Sequence, residues 1–135
     1  MSGVKGDYIL HDGPPYANGE PHMGHAVNKI MKDITNRYQV SQGRRVHYVP
    51  GWDCHGLPIE MKAVKGGDKK QLSADKIREI AANFADKAVQ TQMNQFRSWG
   101  VMADWSRPYL TKTREYVKTQ LEQFYQLYSA GHIFR

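Results

Sequence analysis

The sequence predicts an α/β fold that consists of one βαβ unit followed by helices. Two short apolar runs, at residues 8–11 and 44–50, are typical of strands, and the stretch between them repeats its apolar residues at helical spacing. Strand, helix and strand within about 45 residues form the βαβ unit of a parallel sheet, with an expected right-handed crossover. The helix N-terminus and the strand ends then meet at one edge, where α/β proteins bind ligands.

The first predicted strand leads directly into a shaped loop. The strand covers residues 8–11, and residues 12–21 that follow are rich in proline and glycine. Proline fixes φ and glycine permits unusual φ, so we expect this loop to have a defined conformation.

The crossover helix is predicted over residues 24–40. Its apolar positions recur every three to four residues and are Val27, Ile30, Met31, Ile34 and Tyr38. Gln42 and Gly43 end the helix, and the second strand follows at residues 44–50. Pro50 and Gly51 end that strand sharply.

The remainder of the chain is predicted to be mostly helical. Ser73 can cap a helix that runs to about Trp99 and stops at Gly100. A third helix is expected over residues 113–130, and we interpret both apolar stripes as packing surfaces. The inward residues are Ile77, Ile80, Ala81, Phe84, Ala88, Phe96 and Trp99 in the first, and Val117, Leu121, Phe124 and Tyr128 in the second. Residues 132–135 are predicted to begin a strand.

Composition narrows the class of protein. The 135 residues suit one domain, and no apolar run approaches the roughly 18 residues of a membrane span. The net charge of +6 suits a polyanion such as ATP or tRNA, and equally suits plain solubility. One cysteine excludes an intrachain disulfide and favours a reducing compartment. Two strands are fewer than an independently stable sheet usually needs, so we expect an incomplete fold.

The sharpest chemical pattern is His22-Met23-Gly24-His25, at the junction of loop and helix. Backbone N–H groups and the helix dipole at such a junction favour an anion such as phosphate. Imidazoles three residues apart can face one ligand, and Gly24 leaves room for a flat base or a ribose. Imidazole N–H groups can also stabilise charge on a phosphate during displacement. The pattern alone fits surface or capping histidines as well, but its position between strand and helix favours phosphate chemistry.

A second cluster, residues 50–60, follows the second strand and begins at the same edge. Asp53 could hold a substrate ammonium group, or it could cap the next turn. Trp52 is interpreted as a packing residue. A zinc site of His22, His25, Cys54 and His55 is an alternative, although adjacent Cys and His donors fit a closed tetrahedral site poorly. Cys54 as a nucleophile is disfavoured, because no oxyanion-binding device is evident.

These segments together resemble class I isoleucyl-tRNA synthetases of the bacterial and mitochondrial type. The resemblance is carried by residues 11–19, 22–25, 28–33, 50–60 and 99–105. It implies that residues 1–135 are the N-terminal part of the catalytic, ATP-binding domain, namely the first βαβ half of a Rossmann-type fold followed by helices and truncated before the editing insertion. Valine and leucine relatives share the two histidines but usually differ in the proline-rich loop and in residues 52–60.

The resemblance also implies a reaction and its residues. Isoleucine is activated by ATP to isoleucyl adenylate, which is transferred to tRNA(Ile). His22 and His25 match the signature histidines that contact ATP and stabilise the phosphate in the transition state, and Gly24 matches the glycine beneath the nucleotide. The backbone of Gly13 and Pro14 is expected beside the amino acid, whose ammonium group Asp53 would hold.

Further expectations follow from the same resemblance. Mg²⁺ should accompany ATP, no protein-bound metal is expected in this segment, and neither is a membrane partner. The chain should be monomeric and lie in the mitochondrial matrix, with the cytoplasm as the alternative. The family's second signature, Lys-Met-Ser-Lys-Ser, is absent from the sequence, as are the editing and anticodon-binding regions. The alternatives are therefore a nucleotide-binding polypeptide without turnover and a zinc-held structural module.

Overall fold

The computed structural model describes residues 3–64 and 72–135. Its elements, in chain order, are β1 (Asp7–His11), α1 (Met23–Ser41), β2 (Arg45–Val49), β3 (Gly51–Trp52), α2 (Leu57–Ala63), α3 (Ala74–Ser98), β4 (Tyr109–Leu110) and α4 (Arg114–Ser129). The α/β class, the first two strands and the three long helices agree with the sequence prediction. The short elements β3, α2 and β4 were not predicted.

The predicted βαβ unit is present, with β1 and β2 paired in parallel and α1 as the crossover between them. In its register, Asp7 lies opposite Arg45 and His11 opposite Val49. Both strands therefore end at the same edge, where the proline-rich loop leaves β1 and β3 follows β2. This arrangement brings the two predicted functional segments side by side.

A second parallel pair extends this edge. β3 pairs with β4, so that Gly51 lies opposite Tyr109 and Trp52 opposite Leu110. The loop joins the same layer through a bridge between Tyr16 and Asp53. Gly51 is required here because a Cβ at this position would lie 2.0 Å from the ring of Tyr109. A pairing of two residues per strand carries no periodic signal, which is why the sequence did not reveal it.

The hydrophobic core lies between α3 and the loop–β3 layer. Trp52 and Phe96 are completely buried and their rings stack, with centroids 6.2 Å apart. Around them pack Ala17, Cys54, Ile59, Ala85, Ala88 and Val89. The interpretation of Trp52 as a packing residue is therefore confirmed, as is that of the α3 stripe from Ala81 to Trp99, whereas Ile77 and Ile80 are half-buried outside this cluster. Ile59 enters this core from α2, whose start is marked by Pro58 in its first turn.

The caps of the long helices follow the sequence signals. Ser73 and Thr113 are the N-cap residues of α3 and α4, and each side-chain oxygen accepts a hydrogen bond from a backbone N–H three residues later. Gly100 and Gly131 follow the C-terminal ends with φ of +77°, a conformation that favours glycine.

The inward orientation predicted for α4 is wrong. No residue of this helix is buried, and Leu121, Phe124 and Tyr128 are each more than half exposed. The prediction that residues 132–135 begin a strand is also wrong, since they pair with no strand among the described residues. Periodicity shows which face of a helix is apolar, but burial of that face requires a packing partner, and a strand likewise needs a neighbour.

The crossover helix α1 turns its polar face inward. Its buried residues are Lys29 and Asn36, whereas its apolar stripe of Val27, Ile30, Met31, Ile34 and Tyr38 is exposed. Within the described ranges, no helix is long and apolar enough to cross a membrane.

Candidate functional site

The loop after β1 and the start of α1 enclose a cavity of about 370 Å³. Its lining residues are Gly13, Pro14, Pro15, Tyr16, His22, Gly24, His25, Asn28 and Lys29. Five of the six residues proposed from the sequence are in this set, and Asp53 is not. The fold thus brings together the loop and the histidine turn, which are adjacent in sequence but belong to different elements.

The two histidines cap α1 reciprocally. His22 is the N-cap residue, and its Nδ1 accepts a hydrogen bond from the Gly24 N–H at 3.1 Å. The backbone N–H of His22 in turn donates to Nδ1 of His25, also at 3.1 Å. This is the geometry of a capping box, with imidazole nitrogens in place of the usual hydroxyl and carboxylate oxygens. The ring centroids are 4.0 Å apart.

The capping box fixes the protonation pattern of both rings. A nitrogen that accepts a hydrogen bond carries no proton, so each neutral ring holds its proton on Nε2. Each Nε2–H remains available as a donor to a ligand. The sequence suggested the Gly24 N–H as a donor to an anion, but in this structure it donates to His22 Nδ1. The imidazole Nε2–H groups are therefore the donors left for an anion.

The charge state of His25 supports the same conclusion. Partial burial, together with the neighbouring His22 and Lys29, lowers the pKa of His25 below its ordinary value of 6.5. At neutral pH His25 is therefore an uncharged donor rather than a cation. Such a group stabilises developing negative charge through a directed hydrogen bond.

Gly24 is required for the position of the His22 ring. A Cβ at Gly24 would lie 2.9 Å from Cε1 of His22, which is closer than real Cβ contacts. A side chain here would displace the ring that caps the helix. The sequence analysis expected this glycine to make room for a nucleotide, and the structure adds that it makes room for the first histidine.

Asp53 lies beside the loop rather than in the cavity wall. Its backbone N–H donates to the Pro15 carbonyl and its own carbonyl accepts from the Ala17 N–H, both at 2.9 Å. Its carboxylate Oδ1 accepts from the His55 N–H at 3.3 Å and from the Thr111 hydroxyl at 3.4 Å. The bond to His55 matches the turn-capping interpretation. The role of ammonium holder remains a proposal.

A buried charged cluster beneath the loop was missed by the sequence analysis. The Asp12 carboxylate accepts hydrogen bonds from the ammonium groups of Lys29 and Lys32, at 2.5 and 2.8 Å. Burial alone would raise the pKa of the Asp12 carboxyl, but the two lysines outweigh it and hold the pKa below its usual range. Lysines at helical spacing are expected to be solvated, so only the fold could reveal this pairing.

Gln92 of α3 is a second anchor that was not foreseen. Its amide nitrogen donates to the Tyr16 and Gly19 carbonyls at 3.0 and 2.8 Å, and its amide oxygen accepts from the Trp52 indole at 2.9 Å. Gln92 is fully buried. It therefore ties the proline-rich loop to the core at two points, Tyr16 and Gly19. The position of Gln92 on the core-facing side of α3 was its only sequence signal.

The four donors of the zinc alternative do not assemble. Across residues 3–64 and 72–135, no group of three or more His, Cys, Asp or Glu side chains is placed to hold a metal ion. Cys54 is buried and its N–H donates to the Thr111 hydroxyl, while His55 Nε2 lies 3.2 Å from the Thr111 carbonyl. Burial raises the pKa of the Cys54 thiol, which disfavours the thiolate that a metal or a nucleophilic step needs.

Comparison with known proteins gives a consistent family. Residues 1–135 match the family described as tRNA synthetases class I (I, L, M and V). The chain is 54% identical to the mitochondrial isoleucine–tRNA ligase of Mus musculus, over 98% of this chain and 13% of that protein. It is 56% identical to the chloroplastic/mitochondrial isoleucine–tRNA ligase of Arabidopsis thaliana, over 96% of this chain and 12% of that protein. The isoleucine–tRNA ligase of Parasynechococcus marenigrum is 54% identical over 95% of this chain and 13% of that protein.

A solved structure supports the same fold. The agnB2 LeuRS of Agrobacterium radiobacter K84, in a ternary complex with tRNA and LeuAMS, superposes with a TM-score of 0.75 at 28% identity. The match covers 93% of this chain and 14% of that one. The chain therefore spans about one-eighth of the length of the relatives it matches.

Proposed function

The chain belongs to the class I tRNA synthetases, and from that membership we propose that it forms the ATP-binding part of an isoleucine–tRNA ligase. The cavity in which the proline-rich loop meets His22, Gly24 and His25 is the observation that supports this most. Isoleucine is the proposed substrate because the relatives at 54–56% identity are isoleucine–tRNA ligases.

The proposed reaction begins with in-line displacement on ATP. The isoleucine carboxylate attacks the α-phosphate, pyrophosphate leaves, and the resulting isoleucyl adenylate is transferred to tRNA(Ile). Phosphoryl and nucleotidyl transfers depend mainly on positioning and on stabilisation of charge. Mg²⁺ would arrive with ATP and neutralise part of the polyphosphate charge.

The residues of this chain would supply position and hydrogen bonds. His22 and His25 would donate from Nε2 to the phosphate as negative charge develops, since their Nδ1 atoms are engaged by the capping box. Gly24 would lie beneath the nucleotide. The backbone of Gly13 and Pro14 would border the amino acid, and the Asp53 carboxylate would turn toward its ammonium group.

Nucleotide binding without turnover is the second candidate. It needs only the cavity around His22, Gly24 and His25. In that case the chain would bind ATP, and the chemistry would depend on residues outside it. The mitochondrion is the proposed location, because two of the most similar relatives are mitochondrial or chloroplastic/mitochondrial enzymes.

The test is isoleucine-dependent exchange of labelled pyrophosphate into ATP, with ATP binding measured by calorimetry on the same samples. His25→Ala removes one preorganised donor and should reduce the exchange rate about a hundredfold, which corresponds to a barrier raised by roughly 3 kcal/mol. His132→Ala, at an exposed histidine beyond α4, is the matched control and should leave exchange unchanged.

The outcomes separate the two candidates. Exchange that requires isoleucine and falls in His25→Ala supports amino-acid activation. ATP binding without exchange supports the second candidate. A folded chain that neither binds ATP nor exchanges pyrophosphate contradicts both.

A further inference from the structure

The Asp12–Lys29 pair is unusual because both charges are almost completely withdrawn from water. The side chains are 0% and 1% exposed. One carboxylate oxygen of Asp12 accepts from Lys29 and from the Gly51 N–H, and the other accepts from Lys32. A buried ion pair contributes little net stability, since removing two charges from water offsets their attraction. The pair therefore matters chiefly for the segments that it holds in place.

The pair joins the two segments that line the cavity. Asp12 directly precedes Gly13 at the start of the proline-rich loop, and Lys29 lies one helical turn after His25 on the same face of α1. The loop side is fixed further by the Tyr109 hydroxyl, which donates to the Asp12 carbonyl at 3.0 Å.

The lysine side of the pair is equally constrained. The Lys29 ammonium donates to the Tyr48 hydroxyl at 3.3 Å and lies 5.2 Å from the centre of the Phe96 ring. Phe96 in turn lies 6.3 Å from the His25 ring. The Lys29 ammonium is thus engaged by Asp12 and Tyr48, although its side chain lines the cavity.

We propose that Asp12 and Lys29 are positioning residues of the nucleotide site, whose ion pair sets the distance between the proline-rich loop and the turn of α1 that bears His25. This inference rests on the proposed function. In it, neither charged group contacts the nucleotide. Asp12 acts through the backbone of Gly13 and Pro14, and Lys29 acts through the turn that holds His25.

A double-mutant cycle separates positioning from stability. The variants are Asp12→Asn, Lys29→Met and the double variant, with Lys118→Met as control for a lysine in an exposed pair on α4. Each single variant should lower the free energy of unfolding, because Asp12→Asn leaves the buried Lys29 ammonium without a counter-charge and Lys29→Met leaves Asp12 with Lys32 as its remaining cation. The double variant removes both buried charges of the pair, leaves the more exposed Lys32 able to reach water, and should regain part of that loss.

ATP affinity is expected to behave differently from stability. Affinity, measured by calorimetry at a temperature where each sample is folded, should stay about tenfold weaker in the double variant, as is usual when an outer support is lost. Lys118→Met should bind as the wild type does. A double variant that regains wild-type affinity, or that fails to fold, would overturn the proposal, since the pair would then be purely structural.

A second measurement needs no nucleotide. The amides of Ala17 and Asp53 form the hydrogen bonds between the loop and the residue that follows β3, and their hydrogen exchange reports whether the loop is held. Exchange should be faster in the two single variants and in the double variant, and unchanged in Lys118→Met. Unchanged exchange in the variants would overturn the proposal. A wild-type chain that binds no ATP would instead contradict the proposed function, while exchange would still decide whether the pair holds the loop.

Discussion

At the scale of single residues, the two histidines of the site control each other's chemistry through the helix cap. Each Nδ1 accepts a hydrogen bond from a backbone N–H. A proton on Nδ1 would break this bond, because two N–H donors would then face each other. The cap therefore fixes the tautomer of each neutral ring and leaves Nε2–H free to donate to a ligand. The two side chains that cap α1 are also those proposed to contact phosphate, so the helix cap and the proposed site depend on the same residues.

This coupling predicts a pH dependence of stability. The pKa of His25 is lower in the folded chain than its ordinary value of 6.5, so the unfolded chain binds the proton first as pH falls. Well above pH 6.5 the His25 ring is neutral in both the folded and the unfolded chain, so it causes no loss of stability there. Stability should be lost as pH falls through 6.5 toward the lowered folded-state pKa. Urea unfolding between pH 8 and pH 5 measures this loss.

His25→Gln is the control for the pH dependence, because it removes the titrating group. The slope of the unfolding free energy against pH should become shallower in this variant between pH 6.5 and 5. An unchanged slope would assign the pH dependence to other groups.

A second prediction at this scale concerns Gly51. Gly51→Ala would place a Cβ 2.0 Å from the Tyr109 ring, whose hydroxyl is held by the Asp12 carbonyl. Overpacking of this kind typically costs about 1–3 kcal/mol. Chemical denaturation should show the loss, while Gly3→Ala, at a site with open space around it, should show none. Equal stability of the two variants would contradict the close packing described for β3 and β4.

At the scale of elements, the proline-rich loop obtains its shape from its neighbours as well as from its own prolines. Gln92 of α3 holds the Tyr16 and Gly19 carbonyls, and the Asp12 carboxylate binds α1 and β3. Proline restricts φ within the loop, but it cannot set the position of the loop relative to α1. Those hydrogen bonds set it.

The loop anchor is tested by Gln92→Leu. The change leaves the Trp52 indole N–H and two loop carbonyls without their partner, at a cost of about 1–3 kcal/mol for each buried group left unpaired. Urea unfolding should show the lost stability, and hydrogen exchange at Ala17 should accelerate. Gln90→Leu on the exposed side of the same helix is the matched control. A Gln92→Leu chain as stable as that control would show that the loop is held by other contacts.

At the scale of the whole molecule, the described chain leaves two apolar surfaces without a partner. One is the outer stripe of α1, and the other is formed on α4 by Leu121, Phe124, Tyr125, Leu127 and Tyr128. Parallel sheets are normally covered on both faces, yet Ile9 of β1 is 76% exposed. Exposed apolar surface of this extent favours association.

Substitutions at exposed and buried positions should therefore behave in opposite ways. Ile34→Glu, at a side chain that is 62% exposed on α1, should change the unfolding free energy by less than about 0.5 kcal/mol and should reduce self-association. Phe96→Ala, in the core, should cost about 3–5 kcal/mol. Chemical denaturation and sedimentation measure the two effects. A large stability loss in Ile34→Glu would mean that the outer face of α1 is packed in solution.

The amino-acid sequence by itself determined the βαβ unit, the bounds of the long helices within about two residues, and five of the nine residues that line the cavity. These features depend on local signals, namely periodicity, capping residues and breakers, which act over a few neighbours in the chain. Only the tertiary structure decided the β3–β4 pairing, the inward polar face of α1, and the roles of Asp12, Lys29 and Gln92. The hydrogen-bond partners of Asp12, Lys29 and Gln92 are 17 to 97 residues away in sequence, and burial of these three polar side chains is favourable because distant partners meet them.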